Sequence, residues 1–161
     1  MWKDLLDILG KLEIAYREAI PLLQDKKKAL IGLNLDKIKE LSEKEKSLTE
    51  KIESLEKQRL EIFADLAKKN PSVNADMKLQ DLFRLAPNKI IEQRLEYLQN
   101  SLTKNIEEVT NLSSDTQVLA AAALNAAQYH LNRLSGATVE PTYGKSGNDV
   151  VTRRKNYDFQ A

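Results

Sequence analysis

The side chains that usually perform covalent or metal chemistry are scarce in this chain. There is no cysteine, and His130 is the single histidine, which excludes disulfides, thiol catalysis, zinc-thiolate sites and multi-histidine metal sites. No GxxxxGK[ST] loop and no GxGxxG turn is present, so no glycine-rich loop is set up to cradle phosphate. Glu107 and Glu108 are adjacent carboxylates, but neighbours on a helix point about 100° apart, which suits solvent exposure better than paired acid/base work. His130, between Tyr129 and Leu131, reads as a boundary residue and is given no role. The runs Lys26-Lys27-Lys28 and Arg153-Arg154-Lys155 could meet phosphate, but Asp25 and Asp158 dilute them. With Lys+Arg 25 against Asp+Glu 24 the net charge is only +1, and no nucleic acid partner is expected. An enzyme is not expected, nor are a cofactor or a metal.

What remains is apolar surface. From Gln117 to Ala127 nine of eleven residues are apolar, six of them alanine, and from 117 to 135 only Arg133 is charged. A helix apolar over most of its circumference needs more cover than one partner strip provides. Small alanines let another helix approach closely, and fully burying each of Leu119, Leu124, Leu131 and Leu134 would contribute roughly 1.5–3 kcal/mol, so something is expected to dock here. The segment could pack on the chain's own helices, on a second copy, or against an amphipathic helix of a partner.

The elements that must position this segment are helical. Low glycine, proline and aromatic content beside abundant Leu, Lys, Glu and Ala is the bias of long helices, so an all-α chain is expected. Leu5, Ile8, Leu9, Leu12, Tyr16, Ala19, Leu22, Leu23 and Leu30 recur at steps of three and four and predict a helix over 3–31. Pro21 inside it should kink or split the rod. Gly32 as a stop and Asn34 or Asp36 as a cap predict a tight turn at 32–35 and an antiparallel return.

Over 36–69 Leu41, Leu48, Leu55 and Ile62 repeat every seven residues, with Ile38, Ile52 and Leu66 on the companion line, where Glu45 and Arg59 interrupt. A straight helix of this span is about 51 Å long, which implies an elongated molecule. Asn70-Pro71 ends it, and 70–87 is a connector in which Asn74 could cap a short piece carrying Leu79, Leu82 and Phe83. Pro87 fits the first turn of a last helix over 88–135, with Ile91, Leu95, Leu98, Leu102, Val109 and Leu112 as its apolar line, ended by Gly136. The expected architecture is an elongated antiparallel hairpin or three-helix coiled-coil bundle over 1–136. A flexible tail over 137–161 follows, where helical periodicity is lost.

The start, MWKDLLDILGKLE, carries Asp4 and Asp7 and does not read as a secretory signal. The longest apolar run, Val118 to Leu124, falls far short of the roughly 20 residues a membrane span needs. A cytoplasmic protein without membrane insertion is expected.

The order of these features resembles the FlgN-like flagellar export chaperones. The likeness rests on a Leu-rich first helix, the turn KKKALIGLNLDKIKEL and the second helix SLTEKIESLEKQR. It continues in LNAAQYHLNRL followed by EPTYGKSG, similar to the family's helix and TYG-x-x-G element, here Thr142, Tyr143, Gly144 and Gly147. The resemblance implies a cytosolic, non-enzymatic chaperone that keeps hook-filament junction proteins of the FlgK and FlgL type from assembling early and takes them to the type III export gate. It implies client contact through the carboxyl-terminal helix, here at Val118, Leu119, Leu124, Leu131 and Leu134, and docking on export gate components through Tyr143 with Gly144. Ala120 to Ala123 and the extension through Tyr157 and Phe159 depart from the family's pattern. The competing reading is a structural coiled-coil adaptor that self-associates through its heptads as a homo-oligomer, without an export client.

Overall fold

The computed structural model describes residues 1–74, 77–140 and 150–153. Four helices follow in order: α1 (Trp2–Ile31), α2 (Leu35–Lys69), α3 (Leu79–Phe83) and α4 (Lys89–Leu134). Two short strands, β1 (Ala137–Glu140) and β2 (Val150–Arg153), pair antiparallel with Val139 opposite Val151. Among the described residues this pair is the one departure from an all-helical chain, and it falls in the stretch where helical periodicity is lost and a flexible tail is expected. The chain divides into two compact units, Met1–Thr116 and Gln117–Ala161, with the division inside α4.

The first unit is a helical bundle. α1 stays a single helix through Pro21. Proline removes the N–H that would pair with the carbonyl four residues back, but Pro21 and Arg17 both lie exposed, so the freed carbonyl falls on the solvent side. Ala19 and Leu23, either side of Pro21, keep their places in the core.

The α1–α2 turn is closed differently from the expected glycine stop. Gly32 has φ −80°, ordinary helical backbone, and the left-handed residue is Leu33 at φ 51°. The Leu33 N–H donates to the Leu30 carbonyl at 3.2 Å and the Asn34 N–H to the Ala29 carbonyl at 3.0 Å, the paired bonds of a Schellman turn. Asn34 then caps α2, its side-chain oxygen accepting from the Lys37 N–H at 3.2 Å.

α2 returns antiparallel to α1, as the pairs Lys26–Glu45 and Glu18–Lys51 show by running in opposite directions along the two helices. Its heptad line faces inward: Leu41, Leu55 and Leu66 are buried, and Leu48, Ile52 and Ile62 are half-buried. The two interruptions are accounted for by charge pairing. Glu45 meets Lys26 of α1, and Arg59 donates to Glu56 at 2.7 Å. Tyr16, half-buried beside Glu56 and Arg59, is pushed above the usual phenol value by burial and then by the Glu56 carboxylate. On the outer face Lys44 and Lys37 hold the Glu40 carboxyl below its usual value.

The connector takes a direct part in the core. Val73, Leu82 and Phe83 are buried in one cluster with Leu5, Ile8, Leu9, Leu12, Leu66 and Leu95. α3 begins after Lys78 without a side-chain cap, so Asn74 does not cap it. α4 begins at Lys89, one residue after the expected bound and two after Pro87: Asn88 is the cap, its side-chain oxygen accepting from the Ile91 N–H at 2.9 Å, and Pro87 lies outside the helix. Within the first unit α4 runs parallel to α1, since Ser101 and Asn105 reach Glu13 while Asp115 reaches Lys27. Gly136, at φ 73°, follows the end of α4.

Candidate functional site

The apolar segment of α4 is solvent-facing. Val118 is 67% exposed, Leu124 65%, Leu131 64% and Leu134 78%, while Leu119 is half-buried. Isolated exposed leucines are ordinary, but several on one uncharged helical stretch are not. Every residue from Gln117 to Leu134 belongs to the one helix, so helical geometry fixes which of them lie together.

At about 100° per residue Leu124 and Leu131 point within about 20° of each other, and Leu134 stands about 80° to one side. Ala120 and Ala127 fill the arc between them, and Leu119 lies at its far edge. Val118 does not share that face: it stands about 120° to the other side of Leu124, next to Tyr129. Leu124, Leu131 and Leu134 therefore form one face, Leu119 stands at its margin about 140° from Leu124, and Val118 lies on the opposite flank. Gln117, Asn125, Gln128 and Asn132 make the polar strip between. Alanines flanked by leucines allow a second helix backbone to come close while the leucines supply area, each contributing roughly 1.5–3 kcal/mol if fully covered. Tyr129 and His130 meet edge to face, ring centroids 5.7 Å apart and planes at 72°. The face can bury an apolar helix; it presents no nucleophile or acid/base pair.

The charged candidates fall out separately. Glu107, Glu108 and His130 are exposed, with Glu107 and Glu108 on the solvent side of α4. Lys26 and Lys27 are engaged by Glu45 and Asp115, which leaves Lys28 exposed beside them. The groove between α1 and α2 lined by Lys26, Ser42, Glu45, Thr49 and Glu50 is open and charged. Among the described residues no group of three His, Cys, Asp or Glu side chains could hold a metal ion, and no helix is long and apolar enough to cross a membrane. Thr142, Tyr143, Gly144 and Gly147 lie outside the described residues.

Two features escaped sequence reasoning. Glu13, its side chain only 13% exposed, accepts from Ser101 Oγ at 3.0 Å and Asn105 Nδ2 at 3.3 Å, tying α1 to α4. Its only signal is an acidic residue one position beyond the apolar Leu12. Val73 gave no signal, because a single valine in a Pro-Ser-Val-Asn loop has no period to belong to.

The model of the family described as FlgN protein matches residues 1–150. The chain belongs to the FlgN family. That match takes in the whole bundle, the apolar end of α4 and the Thr142–Gly147 element. No curated protein and no solved structure matches the chain. Members of the FlgN family are flagellar export chaperones, so a function in binding and escorting flagellar proteins comes with membership.

Proposed function

We propose that this FlgN-family chain holds hook-filament junction proteins of the FlgK and FlgL type in the cytoplasm and hands them to the export gate. The observation that carries the reading is the exposed Leu124, Leu131 and Leu134 face on a segment whose one charge is Arg133. A client helix that later assembles with its own copies must carry an apolar stripe. Covering that stripe with an apolar helical face hides it from water and from other copies, with no covalent step. Release then comes from competition at a second site, for which Tyr143 and Gly144 are the proposed docking residues on the export machinery. Val118, on the other flank, is expected to contribute less than the leucines, with Leu119 at the margin.

The experiment is co-purification of the full chain with a junction-protein terminal fragment. Leu124→Asp with Leu131→Asp should abolish capture while circular dichroism keeps its helical signal. Capture that survives moves the client surface elsewhere. Tyr143→Ala should keep capture and lose binding to the soluble part of an export-gate component.

The adaptor reading loses its main support, because the α2 heptads are consumed inside the hairpin: Leu41, Leu55 and Leu66 are buried. Light scattering across concentration distinguishes the two. A client-dependent new species supports the chaperone, and growth of the chain's own mass without client supports self-association.

A further inference from the structure

The bundle is packed unevenly along α4. In its first turns Ile91, Leu95, Leu98 and Leu102 face the α1–α2 hairpin; Leu95 and Leu102 are buried, and Ile91 and Leu98 pack on the same cluster. The same face then continues, at steps of three and four, as Asn105, Val109, Leu112 and Thr116. Of these only Thr116 is buried, and Asn105, Val109 and Leu112 are half-buried, as is Ser113 beside them. Full burial of large aliphatic side chains gives way to partial burial of a mixed set without any break in the helix.

Polar ties take over where full burial stops. Asn105 donates to Glu13 at 3.3 Å, and Lys27 donates to Asp115 at 2.9 Å through side chains 39% and 52% exposed. An ion pair that exposed holds far less than a buried leucine and is weakened by salt. Alongside this stretch, between the Glu13 and Lys27 ties, α1 buries Ala19 and Leu23, neither of which belongs to the main core cluster. A weakly held helical stretch thus lies along a buried apolar stripe.

We propose that α4 residues 103–116 act as a strap that opens from the hairpin as a local unit while residues 89–102 stay docked. Opening would uncover Ala19 and Leu23, apolar surface that the closed bundle does not present. This inference concerns the bundle alone and is independent of what the chain binds.

Hydrogen exchange on the full chain tests it. A helix draws most of its stability from packing, so a stretch lifted off its support opens its hydrogen bonds more often, and amides of 103–116 should exchange about tenfold faster than those of 92–102. Asp115→Asn should speed the first set about twofold and leave the second unchanged. Glu13→Leu with Asn105→Leu, which replaces the polar tie by apolar contact, should slow it. Because the chain has no cysteine, Thr116→Cys supplies a second readout: its thiol should react with a maleimide at a rate that falls when the Glu13→Leu and Asn105→Leu pair is added. Equal protection along 92–116 overturns the strap. So does Asp115→Asn accelerating all helices together, since opening would then be global.

Discussion

Leu41, Leu55 and Leu66 on α2 and Leu124, Leu131 and Leu134 on α4 are the same residue, on helices, at spacings built from threes and fours. The first three are buried and the second three are exposed. The difference lies in what surrounds them. α2 alternates its leucines with nine basic and nine acidic residues over 36–69, so it has one face for water and one for a partner, and the short turn at Leu33 supplies that partner at once. Residues 117–135 have a single charge and several apolar directions. Periodicity therefore reports that a helix is sided, and the charge on its other faces reports whether one partner satisfies it.

The largest expected effect breaks or upholds that contrast directly. Leu66→Ala, at a site with no exposure, should cost about 2–5 kcal/mol in urea unfolding, the transfer loss plus the cavity left behind. Leu131→Ala should stay within about 0.5 kcal/mol, as surface substitutions do. A comparable cost at Leu131 would mean that this leucine is covered in solution, and a dependence on protein concentration would identify a second copy as the cover.

Most of the helical architecture was legible from the sequence, because it rests on periodic burial: the α1, α2 and α4 bounds follow from apolar spacing to within a residue or two. The exposed end of α4 was legible as a segment with too much apolar surface for one partner strip. Which of its residues share a face needed an unbroken helix, and that separates Val118 from the leucines. The misses are places where one residue acts without a pattern. Pro21 is tolerated because its cost falls on the solvent side. Asn88 caps α4 in the position where Pro87 seemed to begin it. Glu13 makes its hydrogen bonds to residues 88 and 92 positions away, a pairing no local rule anticipates. The β1–β2 pairing likewise joins segments with no hydrophobic alternation strong enough to announce it.

An intermediate effect sharpens the contrast with a single residue type. Asn34 and Asn88 each accept a backbone N–H at the start of a helix in the bundle, whereas Asn125 stands exposed inside α4. Asn34→Ala and Asn88→Ala should each cost about 1 kcal/mol, because an orphan donor loses its partner. Asn125→Ala should be neutral or slightly stabilising, since alanine is the better helix former and no bond is lost. Thermal unfolding of the three variants side by side reads the ordering. A loss at Asn125 equal to that at the caps would give this asparagine a structural bond on a face described above as open.

The smallest expected effect concerns an exposed leucine of another kind. Leu33 is 61% exposed and held at φ 51°, where an L side chain costs about 1–2 kcal/mol and glycine costs nothing sterically. Leu33→Gly removes that strain. It also gives back roughly 0.5–1 kcal/mol, because glycine has more freedom to lose on folding. The balance is a gain of about 0.5 kcal/mol, read as a higher urea midpoint at unchanged slope. The sign carries the information. With so much of the side chain in water, only the backbone term should matter, unlike Leu66, where only the side chain does. A fall in stability would instead mean that Leu33 rests on Ile31 or Leu35, its exposed apolar neighbours at the turn, and that the bundle extends its packing one turn further than burial indicates.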